Sequence, residues 1–192
     1  MRGKKLLMDV SVMNLTDRTL GIIVGPGFDE SQVVKVAQEL RMRGARVIVI
    51  GLAETEAMAV AGLNGSLLKP DAVISRTNAS GLDAVIIPGG DSTSKLKTDD
   101  RVLTLVLEMN STSKPIGVTG NGTLVLGAAG LLANKRVTGD PGIKEEVEKS
   151  GALYLSQGVV VDHNLVTSRA DTDLPHFVDT ITFLLEPATT KS

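Results

Sequence analysis

Four short apolar runs separated by helix-length segments constrain this chain most: Leu20–Val24, Arg46–Ile50, Ala84–Ile87 and Ile116–Thr119. Such runs suit strands covered on both faces, as in a parallel sheet flanked by helices. After the first, Gly25-Pro-Gly27 turns the chain and Asp29 offers an N-cap for a helix reaching about Arg43. Val33, Val36, Ala37 and Leu40 lie on one stripe of that helix, and Gly44 stops it. A strand, a helix and a second apolar strand imply a parallel pair joined by a right-handed crossover. The unit recurs with helices predicted over Arg101–Asn110 and Gly122–Ala129, and a last amphipathic helix over Pro175–Leu185. Residues 53–80 read as a short hairpin or excursion beside the sheet. Arg136–Thr138 and Val159–Ser168 read as further strands, the latter folded back at Asp162-His-Asn164. The expected architecture is a three-layer α/β domain with a mostly parallel, doubly wound sheet.

A length of 192 residues suits one domain, expected over 18–187, with an N-terminal arm at 1–17 and a tail at 188–192. The arm carries Leu6, Leu7, Met8, Val10, Val12 and Met13, an apolar set that suggests a homo-oligomer contact. A net charge of -2 and 2% aromatic residues argue against nucleic-acid binding and an anionic membrane partner. The absence of cysteine excludes disulfides, iron–sulfur clusters and thiolate zinc sites. The two histidines, His163 and His176, fall in different elements, so no metal site and no cofactor is expected. No run of 18 apolar residues and no sustained apolar leader segment are seen, and a cytoplasmic location is expected.

In open α/β sheets, ligands sit beyond the carboxyl ends of the strands at a topological switch point. Three glycine-rich exits are expected to meet there: Gly25-Pro-Gly27, Pro88-Gly-Gly90 and Gly120-Asn-Gly122. Their spacing fits neither a dinucleotide fingerprint nor a P-loop. The third exit has the form of a nucleophile elbow, an apolar strand entering a sharp turn and then a small-residue helix. Its apex is Gly120, followed by Asn121, and neither can serve as a nucleophile. Thr119 and Thr123 flank the apex, but a hydroxyl needs a nearby base. His163 belongs to the Asp-His-Asn turn and reads as solvated. His176, in the first turn of the last helix, is a candidate for the pocket rim. Asp171 and Asp173 read as caps of that helix, and Arg169 as a partner for a carboxylate.

Taken together, several segments resemble the ThiJ/PfpI superfamily. They are Ala84-Val-Ile-Ile-Pro-Gly-Gly90, the elbow with Ala128-Ala-Gly-Leu-Leu132, Val137-Thr138, Pro141-Gly-Ile143, Gly151-Ala152, Val160–Arg169 and Asp173-Leu-Pro175. The resemblance implies a flavodoxin-like sandwich related to class I glutamine amidotransferases, forming dimers or higher oligomers. It also implies Cys then His at the elbow and a Glu in the first helix. Here Gly120, Asn121 and Gln32 stand at those positions, while Gly89 and Gly90 keep the backbone of the implied oxyanion pocket. Leu15–Val24 and Ile116–Gly122 are also similar to the C-terminal domain of large-subunit catalases, a form of this fold that lacks the cysteine.

The reading that follows is a non-catalytic, oligomeric binding or stress-protective module with a vestigial pocket of Gly120, Asn121, Gln32, Gly89, Gly90 and Thr119. One alternative is a hydrolase or lyase of the same superfamily (protease-like, glyoxalase-like or deglycase-like) using Thr119, Asn121 and Gln32. A third is a partner subunit of another enzyme.

Overall fold

The computed structural model describes residues 14–53 and 57–186. In chain order the elements are β1 (Thr19–Val24), α1 (Glu30–Met42), β2 (Arg46–Gly51), β3 (Val60–Ala61), β4 (Leu67–Leu68), β5 (Ala72–Val73), β6 (Ala84–Ile87) and α2 (Thr93–Leu96). There follow α3 (Asp100–Ser111), β7 (Ile116–Thr119), α4 (Thr123–Ala128), β8 (Arg136–Val137), α5 (Lys144–Lys149), β9 (Leu153–Tyr154), β10 (Val159–Asp162), β11 (Leu165–Ser168) and α6 (Leu174–Leu185).

Seven strands form the central sheet in the order β10-β11-β7-β6-β1-β2-β5. Every neighbouring pair is parallel except β10 with β11. The chain winds outward from β1 to β2 and β5, then returns to β6 on the other side of β1 and winds on to β7 and β11. The reversal lies between β1 and β6, and it opens the crevice in which such folds hold ligands.

The alternation of side chains along the strands builds two cores. Leu20, Ile22 and Val24 of β1, with Ala84 and Ile86 of β6, pack beneath α1 and α6. Ile23, Val85 and Ile87, with Ile116 and Val118 of β7, pack against α3 and α4 on the opposite face. Gly117 lets α6 approach closely, because a Cβ there would lie 2.6 Å from Phe177 Cζ. The expected stripe of α1 is buried throughout: Val33, Val36, Ala37 and Leu40 are at most 4% exposed. Asp29 caps it by accepting from Gln32 N–H at 3.1 Å. Gly44, at φ +90°, ends it. There Ala45 N–H donates to the Leu40 carbonyl and Gly44 N–H to that of Arg41, a paired closure of the last turn.

Several expectations need correction. The excursion at 53–80 contains the β3–β4 hairpin and also a sixth parallel strand, β5, whose two residues are too short to show a period. β8 pairs with β9 in a separate small sheet, and α2 and α5 were not anticipated. The expected helix from Gly122 begins as a 3-10 turn at Gly120–Gly122 and becomes α-helical at Thr123. The arm does not extend to residue 17 as a separate segment: Leu15 is fully buried among the α1 residues, and its N–H donates to the Arg43 carbonyl at 2.7 Å. Leu6, Leu7, Met8, Val10, Val12 and Met13 lie outside the described residues, as does the tail at 188–192. Among the described residues no helix is long and apolar enough to cross a membrane.

Candidate functional site

The three glycine-rich exits meet at the carboxyl ends of β1, β6 and β7. Gly27, Gly90 and Gly120 have φ of +82°, +107° and +57°, a region other residues enter at a cost. Close approach adds a second demand at Gly90, where a Cβ would lie 2.6 Å from the Gly27 carbonyl oxygen. Beside these turns lies a cleft of about 510 Å³, lined in part by Gln32, Gly90, Gly120, Asn121 and Arg169.

At the base of the cleft the polar groups are turned on one another. Gln32, 7% exposed, points its carbonyl oxygen at the Gly89 N–H, which donates at 2.8 Å, and at the Thr119 hydroxyl, which also donates to it. Its Nε2 donates to Asp171 Oδ1 at 3.2 Å. The Asn121 carboxamide lies over the second glycine of the pair. Gly90 N–H donates to Asn121 Oδ1 at 2.9 Å, Thr93 Oγ1 donates to the same oxygen at 3.1 Å, and Asn121 Nδ2 donates to the Gly90 carbonyl at 3.1 Å. Both backbone N–H groups of the Gly89-Gly90 exit therefore have side-chain acceptors within the chain. An oxyanion hole works by presenting preorganised donors to charge that develops in the transition state. Here an anion would first have to displace Gln32 or Asn121. The apex itself is bare: a Cβ built on Gly120 would meet nothing nearer than Gln32 Nε2, at 3.6 Å.

Asp29, Asp91, Asp140 and Asp171 also line the cleft. Sequence reasoning anticipated Asp29 as a cap and overlooked Asp91 and Asp140 as lining residues. The Pro141-Gly-Ile143 motif was the available signal for the latter, since Asp140 caps that turn by accepting from Gly142 N–H at 2.7 Å. Asp171 does not cap α6. Instead it accepts from Ser31 Oγ at 2.7 Å as well as from Gln32, and so joins the 170s loop to α1. Asp173, at the N-cap position, makes no side-chain capping bond and pairs with Arg169 at 3.6 Å. Arg169 thus has its carboxylate partner and lines the cleft. His176, expected near the pocket rim, is instead exposed on α6 and is not among the cleft-lining residues. His163 sits in the β10–β11 turn at φ +56° with a largely exposed side chain, far along the chain from the elbow. Thr123 is buried, and its hydroxyl donates to the Thr138 carbonyl at 3.0 Å. Thr119, 1% exposed, is engaged by Gln32. No histidine is brought to either hydroxyl in any contact among the described residues, which also contain no group of three or more His, Asp or Glu placed to hold a metal ion.

A glycine-lined crevice at the switch point of a sheet whose parallel strands run β5-β2-β1-β6-β7-β11, closed by a strand-turn-helix elbow, is the frame on which many small-molecule enzymes are built. The family model for DJ-1/PfpI matches residues 18–183, and the chain belongs to the DJ-1/PfpI family. It is 31% identical over 163 residues to protein/nucleic acid deglycase 2 of Escherichia coli, covering 83% of this chain and 93% of that protein. It is 30% identical over 162 residues to general stress protein 18 of Bacillus subtilis, with the same two coverages of 83% and 93%. Among solved structures, the chain superposes with a TM-score of 0.84 and 26% identity on a two-domain protein from Anabaena variabilis containing DJ-1/ThiJ/PfpI-like and ferritin-like domains. That match covers 91% of this chain and 52% of the other, so this chain spans about half the length of the two-domain protein.

Proposed function

We propose that this chain is a non-catalytic member of its family, an oligomeric binding or stress-protective module whose elbow cleft holds a ligand or a partner without turning it over. The observation that carries this reading is the saturation of the elbow: Gln32 and Asn121 occupy the Gly89 and Gly90 donors above an apex with no side chain. Deglycase activity is named for several relatives, and a covalent route to such a reaction needs an activated nucleophile. This chain has no cysteine, and its elbow hydroxyls are engaged without a histidine beside them. The likeness to a general stress protein supports the protective side of the reading.

The test is turnover. Peptidase, glyoxalase-type and deglycase-type assays on the purified full-length chain are expected to stay at background. Saturable turnover that disappears in Asn121→Ala would overturn the proposal in favour of a hydrolase or lyase using Thr119, Asn121 and Gln32. Assembly is tested separately by light scattering on the full-length chain and on a truncated chain beginning at Asn14, which keeps the buried Leu15. The expected outcome is an oligomer that weakens on truncation. A monomeric full-length chain would remove the oligomeric part of the proposal.

A further inference from the structure

We propose that Asn64, at the tip of the β3–β4 hairpin, is a site of spontaneous deamidation, and that its conversion to a carboxylate unfastens the hairpin from α1. The sequence contains two Asn-Gly pairs, Asn64-Gly65 and Asn121-Gly122. At such a pair the following residue has no Cβ, so its backbone nitrogen approaches the asparagine side chain with little hindrance. The reaction needs only water. The Gly65 nitrogen gives up its proton and bonds to Asn64 Cγ, while the Cγ–Nδ2 bond breaks and the amide leaves with that proton as ammonia. Water then opens the five-membered imide, adding OH to one carbonyl carbon and returning a hydrogen to the nitrogen. The product is aspartate or its β-linked isomer.

The fold treats the two pairs in opposite ways. The Asn121 carboxamide is held by Gly90 N–H, Thr93 Oγ1 and the Gly90 carbonyl, and Gly122 is buried, with a Cβ position only 2.8 Å from the Ile87 carbonyl oxygen. Asn64, Gly65 and Ser66 are exposed. Gly65 turns at φ +85° with nothing within 4 Å of a Cβ position, and its N–H donates to the Gly62 carbonyl over 3.2 Å. Among the described residues the Asn64 carboxamide makes one hydrogen bond, Nδ2 donating to Glu30 Oε2 at 2.9 Å.

That bond gives the modification its consequence. Glu30, in the first turn of α1, also accepts from Asn64 N–H at 2.7 Å and from Ser66 N–H at 3.4 Å. Although desolvation opposes it, these donors hold the Glu30 carboxyl below its usual range. Deamidation would replace the donating amide with an anion facing the Glu30 anion, and like charges at that distance repel. The hairpin also braces the cleft loop: Gly27 N–H donates to the Ala61 carbonyl at 2.8 Å, Leu63 N–H donates to that of Phe28 at 3.0 Å, and Asp29 follows directly on the cleft wall. The damage would therefore fall beside the site.

Peptide mapping by mass spectrometry tests this on the full-length chain incubated at mildly alkaline pH, with a parallel sample in denaturant. In denaturant both Asn-Gly peptides should convert at similar rates. In the folded protein the Asn64 peptide should convert roughly tenfold or more faster than the Asn121 peptide, whose hydrogen bonds must break first. Equal rates in the folded protein, or faster loss at Asn121, would overturn the proposal. In a second arm, Asn64→Asp should lower the melting temperature, and Glu30→Gln should largely cancel that loss. The same loss in both backgrounds would refute the Glu30–carboxylate repulsion.

Discussion

Asn121 and Gly90 pair face to face, each both donor and acceptor: Gly90 N–H reaches Asn121 Oδ1 at 2.9 Å, and Asn121 Nδ2 reaches the Gly90 carbonyl at 3.1 Å. The side chain thereby imitates a neighbouring strand and ties the exit of β6 to the exit of β7. This is a structural use of the position at which an elbow otherwise presents chemistry.

Removing the clamp should cost stability. Asn121→Ala leaves the partly buried Gly90 N–H and carbonyl to find water or go unpaired, at about 1–3 kcal/mol for such a loss. A chemical denaturation midpoint shifted down by that amount, at unchanged slope, is expected. An unaltered midpoint would mean that the clamp contributes nothing to the fold.

Gly120→Ala tests the apex. At φ +57° an L-residue pays a conformational penalty of about 1–2 kcal/mol. No steric penalty adds to it, since the nearest atom to the new Cβ is 3.6 Å away. The destabilisation should therefore be of that modest size, with the fold intact. A neutral substitution would show that the turn relaxes out of the left-handed region.

Restoring chemistry needs three changes together. Gly120→Cys with Asn121→His and Gln32→Glu should yield a thiol more reactive than a free one, because a neighbouring cation lowers thiol pKa. Asp171 bears on the outcome: Gln32→Glu replaces a donor to Asp171 Oδ1 with a second carboxylate. Adding Asp171→Asn should therefore improve both stability and reactivity. Alkylation rates measured against pH decide the matter, and an ordinary thiol profile in both variants would defeat the prediction.

Asp162 should impose an acid limb on stability. The Arg136 N–H, donating at 2.9 Å, holds its carboxyl below the usual range. Desolvation opposes this, and His163 and Lys135 add to the lowering. A folded value below the unfolded value stabilises the protein above the unfolded pKa, and that contribution is lost as pH falls through the folded value. Stability should thus decline below about pH 4. The decline should be shallower in Asp162→Asn. Parallel pH profiles for the two proteins would show that Asp162 is not responsible.

Much of this was legible in the chain itself. The burial of Val33, Val36, Ala37 and Leu40 follows from their spacing, and the parallel sheet from runs such as Leu20–Val24 that have no polar face. Asp29 and Gly44 mark the ends of α1 because capping is local, needing only residues within a turn of one another. That Gly120 cannot be a nucleophile is likewise a matter of composition alone. The tertiary structure decided the rest. Asp171 bonds to Ser31 and Gln32 across 140 and 139 positions, where a local reading makes it a cap. Two-residue strands such as β5 carry no period and exist because β2 offers an edge. The filling of the Gly89 and Gly90 donors by Gln32 and Asn121 joins residues 57 and 31 positions apart. No spacing rule announces such contacts, because hydrogen bonds between loops depend on where packed helices and strands place their ends.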